Sequence, residues 1–108
     1  MKFVRKRDGK LESFDQERIT NAIWKAAKAV GGKDRELSER LSDQVVAELK
    51  KRFGEEGVPT VEEIQDLVEK TLIENGHART AKAYILYRKQ HQDIRELAAL
   101  LSSADLVD

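Results

Sequence analysis

The stretch Val4-Arg5-Lys6-Arg7-Asp8-Gly9-Lys10-Leu11-Glu12-Ser13-Phe14-Asp15 demands a turn between two short extended runs and a helix start directly after them. Asp8-Gly9 is a pair that supplies positive φ for a type I′ connection, so the spacing predicts a β-hairpin with a two-residue turn. The register then follows: Arg7 faces Lys10, Lys6 faces Leu11, Arg5 faces Glu12, Val4 faces Ser13 and Phe3 faces Phe14. Side chains alternate along a strand, which puts Phe3, Arg5, Arg7, Lys10, Glu12 and Phe14 on one face and Val4, Lys6, Leu11 and Ser13 on the other. Cations gathered this closely repel one another unless something negative lies among them. The ribbon is therefore either an edge hairpin kept soluble by Lys and Arg, or an anion site.

With 108 residues the chain is one domain with a small core. Its formal net charge is zero, which counts against general nucleic-acid binding through a basic field. The absence of cysteine excludes a disulfide framework, thiolate zinc sites and thiol chemistry. Met1-Lys2-Phe3-Val4-Arg5 becomes charged too early for a signal peptide, and no apolar run approaches the ~20 residues of a membrane span, so a cytoplasmic location is expected.

Asp15 is a helix N-cap, and Ile19, Ile23, Ala26, Ala27 and Val30 mark one face of a first helix ending at Gly31-Gly32. Arg18 stands in its first turn where a capping box wants Glu or Gln, and a cation there opposes the helix dipole. Either Glu17 offsets that cost or Arg18 answers to an outside anion. A second helix begins near Asp34, carries Leu37, Leu41, Val45, Val46, Leu49 and Phe53, and stops at Gly54. Thr60-Val61-Glu62-Glu63 reads as a capping box for a third helix lined by Ile64, Leu67, Val68, Thr71 and Leu72, ending at Asn75-Gly76. The fourth begins around His77 or Ala78 and runs through Tyr84, Ile85 and Arg88, with an apolar face resuming at Ile94, Leu97, Ala98 and Leu101. The expected fold is mainly α (α+β): a four-helix bundle capped by a small N-terminal hairpin, with Gly57-Val58-Pro59 as a candidate third strand confined to an edge by Pro59.

Chemistry-bearing motifs are few. No phosphate loop and no G-x-G-x-x-G occurs, so a phosphate site here relies on side-chain cations and a helix N-terminus. His77 and His91 lack ligand spacing, which argues against a metal site, and no nucleophile stands with a base. Catalysis by this chain alone is not expected. Tyr84 and Tyr87 read as core residues rather than stacking platforms, while a base has room to stack near Phe14 or Ile19.

Several motifs together resemble one family. Val4-x-Lys6-Arg7-Asp8-Gly9, Glu12-x-Phe14-Asp15-x-x-Arg18-Ile19, Thr60-Val61-Glu62-Glu63-Ile64-Gln65-Asp66-Leu67-Val68 and Ala83-Tyr84-Ile85-Leu86-Tyr87-Arg88 are similar to the ATP-cone module, a regulatory nucleotide-binding domain at the N-terminus of many ribonucleotide reductases. The similarity implies an ATP-cone domain over 2–90 and a helical extension or linker toward a catalytic body over 91–108. The tail from Ile94 looks like the segment leading into that body in anaerobic ribonucleoside-triphosphate reductases, and Ser102-Ser103 with Asp105 resembles the cap of a further element. A reductase-gene repressor with the same module carries a cysteine-rich zinc ribbon, which this chain lacks.

The implied function is allosteric. ATP bound here keeps a reductase active, and dATP shuts it down by changing subunit association, including self-association of this module; Mg2+ accompanies the nucleotide. The implied nucleotide contacts are Val4, Lys6, Arg7, Glu12, Ser13, Phe14, Arg18, Ile19, Asn21, Thr60, Val61, Gln65, Arg88 and Lys89. Lys6 and Arg7 would hold phosphates, with the hairpin as a lid, and Glu12 through Arg18 would wrap ribose and base. Arg18 stands where the family usually has Lys, and Val61 where many members have Thr. Gln65 would lie near the sugar or a second nucleotide, and either Arg88 or Lys89 supplies the basic group of helix four. The competing expectation is a non-catalytic module that docks an acidic partner or nucleic acid through its basic hairpin.

Overall fold

A computed structural model describes residues 1–107, and the side chains of residues 1–102. Strands β1 (Phe3–Arg5) and β2 (Leu11–Ser13) form an antiparallel ribbon, followed by helices α1 (Gln16–Ala29), α2 (Arg35–Phe53), α3 (Val61–Glu74) and α4 (Ala78–Val107). This is the hairpin-capped four-helix bundle expected from the sequence.

The helix starts are set by local chemistry. The Asp15 carboxylate accepts the Glu17 N–H at 3.0 Å, and the Asp34 carboxylate accepts the Leu37 N–H at 3.1 Å. At α3 the capping box is complete: Thr60 Oγ1 accepts from the Glu63 N–H at 3.1 Å while Glu63 Oε1 accepts from the Thr60 N–H at 3.0 Å. Such a cap contributes about 1 kcal/mol and fixes where the helix begins.

Each helix packs on two others: α1 on α2 and α4, and α3 on α2 and α4. That arrangement places α1 and α3 across one diagonal of the bundle, with their N-terminal turns at the ribbon end. Ile23, Val45, Leu49, Val68 and Leu72 are the most deeply buried large side chains of the core. Burying a residue of this kind stabilises the fold by about 1.5–3 kcal/mol. With 30 residues α4 is about 45 Å long at 1.5 Å per residue, so its C-terminal half extends past α1 and α3, which have 14 each. It leaves Ile94, Leu97, Leu100 and Leu101 exposed. The extension expected over 91–108 thus continues α4 as far as Val107. Ser102 and Ser103 lie inside this helix rather than capping another element, and Asp108 lies outside the described residues.

The hairpin differs from expectation by one residue. Observed partners are Phe3 with Ser13, Val4 with Glu12 and Arg5 with Leu11. The Gly9 N–H donates to the Lys6 carbonyl and the Lys6 N–H to the Lys10 carbonyl, each at 2.9 Å, which makes a three-residue loop of Arg7-Asp8-Gly9. Gly9 alone takes positive φ (+85°), whereas a type I′ turn needs it at Asp8 as well. Asp8 instead accepts the Lys10 N–H on its carboxylate at 2.9 Å, a local bond compatible with an ordinary turn residue. The slip changes which side chains share a face. Glu12 now lies opposite Val4 on the side toward the helices, and Phe3 and Leu11 remain exposed on the outer side.

The candidate third strand is a single bridge. The Arg5 N–H donates to the Pro59 carbonyl at 2.9 Å and Arg5 pairs with Thr60 in parallel sense, so the ribbon itself has two strands. Gly57 lets the chain leading to this bridge pass close to the end of α2, because a Cβ built there would lie 2.0 Å from the Phe53 carbonyl oxygen.

Candidate functional site

A cleft of about 180 Å³ opens beneath the ribbon, between α1 and α3. Val4, Glu12, Ser13 and Phe14 form its roof. Arg18, Ile19 and Ala22 form one wall below Asp15; Val61, Ile64, Gln65 and Val68 form the other, and Tyr84 of α4 closes the side. Both helices thus present an i, i+3, i+4, i+7 stripe, Asp15-Arg18-Ile19-Ala22 and Val61-Ile64-Gln65-Val68, as neighbours on a helix face must. The N-terminal turns of α1 and α3 converge here, and their free N–H groups favour negative charge at the cleft mouth.

The walls are mostly apolar, which suits the faces of a flat ring, and the polar groups are few and placed. Gln65 Oε1 is buried without a hydrogen-bond partner among the described residues. An acceptor buried without a partner in the cleft wall costs the free chain stability. Tyr84 is buried, and burial pushes its hydroxyl pKa up, more than the nearby Arg88 charge draws it down. At neutral pH it is an uncharged donor and acceptor.

Charge around the mouth is paired within the chain. Arg18 Nη2 lies 2.8 Å from Glu12 Oε1, and Arg7 Nε lies 2.8 Å from Glu62 Oε1 in the first turn of α3. Lys6 has no carboxylate within ion-pair distance among the described residues. By strand alternation it shares the helix-facing side of the ribbon with Val4.

The structure therefore gathers Val4, Glu12, Ser13, Phe14, Arg18, Ile19, Val61 and Gln65 around one cleft, with Lys6, Arg7 and Thr60 beside it but not in its lining. Asn21, Arg88 and Lys89 stand elsewhere. Asn21 accepts a hydrogen bond from Arg35 at the start of α2, 3.1 Å away. Arg88 Nη1 lies 2.8 Å from both Asp66 and Glu69 of α3. Burial disfavours its charge, but the bonds to those carboxylates outweigh burial and raise its pKa. Lys89 faces away and pairs with Asp93. On α4, then, Arg88 is the inward basic residue and it is bound to protein carboxylates.

Ala22, Ile64, Val68 and Tyr84 line the cleft without having been singled out from the sequence as contacts, and Asp15 entered only within the span Glu12 through Arg18. Ile64, Val68 and Tyr84 read as core because one apolar stripe serves both core and cleft. The available signal was the shared i, i+3, i+4, i+7 pattern at the starts of helices one and three.

Among the described residues no group of three or more His, Asp or Glu side chains is placed to hold a metal ion, and no helix is long and apolar enough to cross a membrane.

Fold and cleft together define a small helical bundle capped by a two-stranded ribbon, with a cleft beneath the ribbon. The family model described as the ATP cone domain matches residues 2–93, and the chain belongs to that family. It is 42% identical over 110 residues to the vitamin B12-dependent ribonucleoside-diphosphate reductase of Thermoplasma acidophilum, an alignment covering 97% of this chain and 14% of that protein. To the enzyme of the same name from Mycobacterium tuberculosis it is 37% identical over 102 residues, covering 94% and 14%. To the anaerobic ribonucleoside-triphosphate reductase of Haemophilus influenzae it is 35% identical over 99 residues, covering 92% and 14%. The chain thus spans about one seventh of the length of these relatives. They include an anaerobic reductase, of the class expected from the sequence, beside the B12-dependent enzymes.

Proposed function

We propose that this chain is the allosteric effector domain of a ribonucleotide reductase and binds ATP or dATP, with Mg2+ carried on the triphosphate, in the cleft between α1 and α3. The carrying observation is the apolar-walled cleft beneath the cationic ribbon, with Gln65 in its lining. An adenine ring fits such walls, and the Gln65 amide, once turned toward the cleft, offers the ring's exocyclic amino group an acceptor. The ribose and phosphates then extend toward the ribbon, where Lys6, Arg7, Arg18 and two helix N-termini meet negative charge.

ATP sustains reductase activity and dATP suppresses it in this reading. The two differ by one hydroxyl, so discrimination requires a polar group that only the ribose 2′-OH satisfies. The chain has no turnover of its own, and its partner is the catalytic body of the reductase, in the cytoplasm. The exposed face of Ile94, Leu97, Leu100 and Leu101 on α4 supports a partner beyond the bundle, because a projecting helix of this length is marginal alone in water.

Isothermal titration of the chain with ATP and then dATP, with Mg2+ and at two salt concentrations, tests the reading. Saturable micromolar binding of both is expected, weakening as salt rises. Lys6→Ala with Arg7→Ala should abolish it while leaving the thermal midpoint within a few degrees. Absence of heat with either nucleotide overturns the proposal. Salt-sensitive DNA binding without a nucleotide effect would favour the docking-module alternative instead.

A further inference from the structure

Of the three cations assigned to the cleft mouth, Lys6, Arg7 and Arg18, the last two are paired with the chain's own carboxylates. For Arg7 the partner is Glu62, and the two side chains are 38% and 36% exposed. Glu62 follows Val61 of the cleft wall and lies in the first turn of α3. Its carboxylate therefore enjoys both the Arg7 guanidinium and the partial positive charge of a helix start. Those are the two features a phosphate group would use at this place. Among the described residues the hairpin also meets the entry to α3 through the Arg5 N–H to the Pro59 carbonyl at 2.9 Å and the Arg5–Thr60 bridge, while Arg5 Nη1 turns back within the hairpin to the Gly9 carbonyl at 2.8 Å.

We propose that Glu62 is a built-in competitor for the phosphates of an anionic ligand. In the free chain it holds the hairpin turn to α3 through Arg7, and it releases Arg7 when the ligand's phosphates arrive. This rests on the reading of the cleft as a nucleotide site. Binding is then an exchange of anions at Arg7, and its strength is what the phosphate gains over the carboxylate it displaces. Removing the Glu62 charge should tighten binding, the opposite of what loss of a merely structural contact does.

The test compares Glu62→Gln with Glu74→Gln, a variant of equal charge change at the far end of α3, by titration with ATP and Mg2+. Amide hydrogen exchange of Lys6 and Gly9 is followed in the ligand-free chains. Glu62→Gln should bind ATP about two- to fivefold more tightly, the size of an exposed ion pair, and exchange these amides faster, while Glu74→Gln matches the wild type in both. Equal or weaker ATP binding by Glu62→Gln, or the same tightening in Glu74→Gln, overturns the competitor role. Unchanged exchange overturns the tie between turn and α3. Absence of binding in all three chains overturns the nucleotide reading itself and the competitor role with it, whereas one shared affinity overturns the competitor role alone.

Discussion

Arg18 on α1 and Glu12 on β2 stand 2.8 Å apart, tying the first helical turn to the ribbon across the mouth of the cleft. Arg18 is largely exposed, so the pair contributes at most about 1 kcal/mol. A cation in the first turn opposes the helix dipole by a few tenths of that. The two effects nearly cancel, and Arg18→Gln should move the thermal midpoint by less than roughly 4 °C. ATP affinity should fall severalfold, because a phosphate contact is lost. Unchanged affinity by titration would remove Arg18 from the site. Arg18→Glu is a poorer variant, since it sets a second carboxylate beside Glu12.

Gln65 offers a test in which stability and binding move in opposite directions. Its Oε1 is buried without a partner in the free chain, and relieving an orphaned acceptor is worth about 1 kcal/mol. Gln65→Met keeps the volume and should raise the thermal midpoint by roughly 4–8 °C. The same change should weaken ATP binding about tenfold, since the ligand's donor loses its acceptor. A variant that is no more stable and binds as before would show that Gln65 is satisfied in solution and does not meet the ligand.

Helix boundaries were legible because short-range chemistry sets them: Asp15, Asp34 and the Thr60–Glu63 capping box each mark a start within four residues of sequence. The hairpin register was not. Asp8-Gly9 serves a two-residue turn or a three-residue loop equally well, and the outcome depends on whether Asp8 adopts positive φ or accepts the Lys10 N–H. Half of the cleft was visible as the cationic ribbon and the odd first-turn Arg18. The other half depends on two helices meeting across a diagonal, which no local pattern states. Arg88 shows the limit best: its partners Asp66 and Glu69 lie 22 and 19 positions away, and only packing of α4 on α3 brings them together.

Arg88 is predicted to act on stability rather than on binding. Its side chain is 19% exposed and bonded to two carboxylates, a stronger arrangement than an exposed pair. Arg88→Met leaves Glu69, itself mostly buried, beside Asp66 without a countercharge. A loss of about 1–2 kcal/mol is expected, read as a lower urea midpoint at unchanged slope. ATP affinity measured well below the melting temperature should stay within twofold of the wild type. A tenfold loss of affinity in a folded variant would place Arg88 among the ligand contacts after all.

Tyr84 gives the fold an alkaline limit. Burial raises its hydroxyl pKa in the folded chain above the ordinary value near 10. Between those values the unfolded chain releases the proton and the folded chain keeps it, so proton release draws the equilibrium toward unfolding. This contribution to stability is fully present below pH 10 and is lost progressively as pH rises beyond it. Tyr84→Phe cannot ionise in either state. Wild type and variant should have similar urea midpoints at pH 7, and the wild type should lose more stability than the variant between pH 9 and pH 11. Parallel losses in the two chains would mean that the Tyr84 hydroxyl ionises as readily in the folded chain as in the unfolded one. It would then face solvent through the cleft rather than sit against its wall.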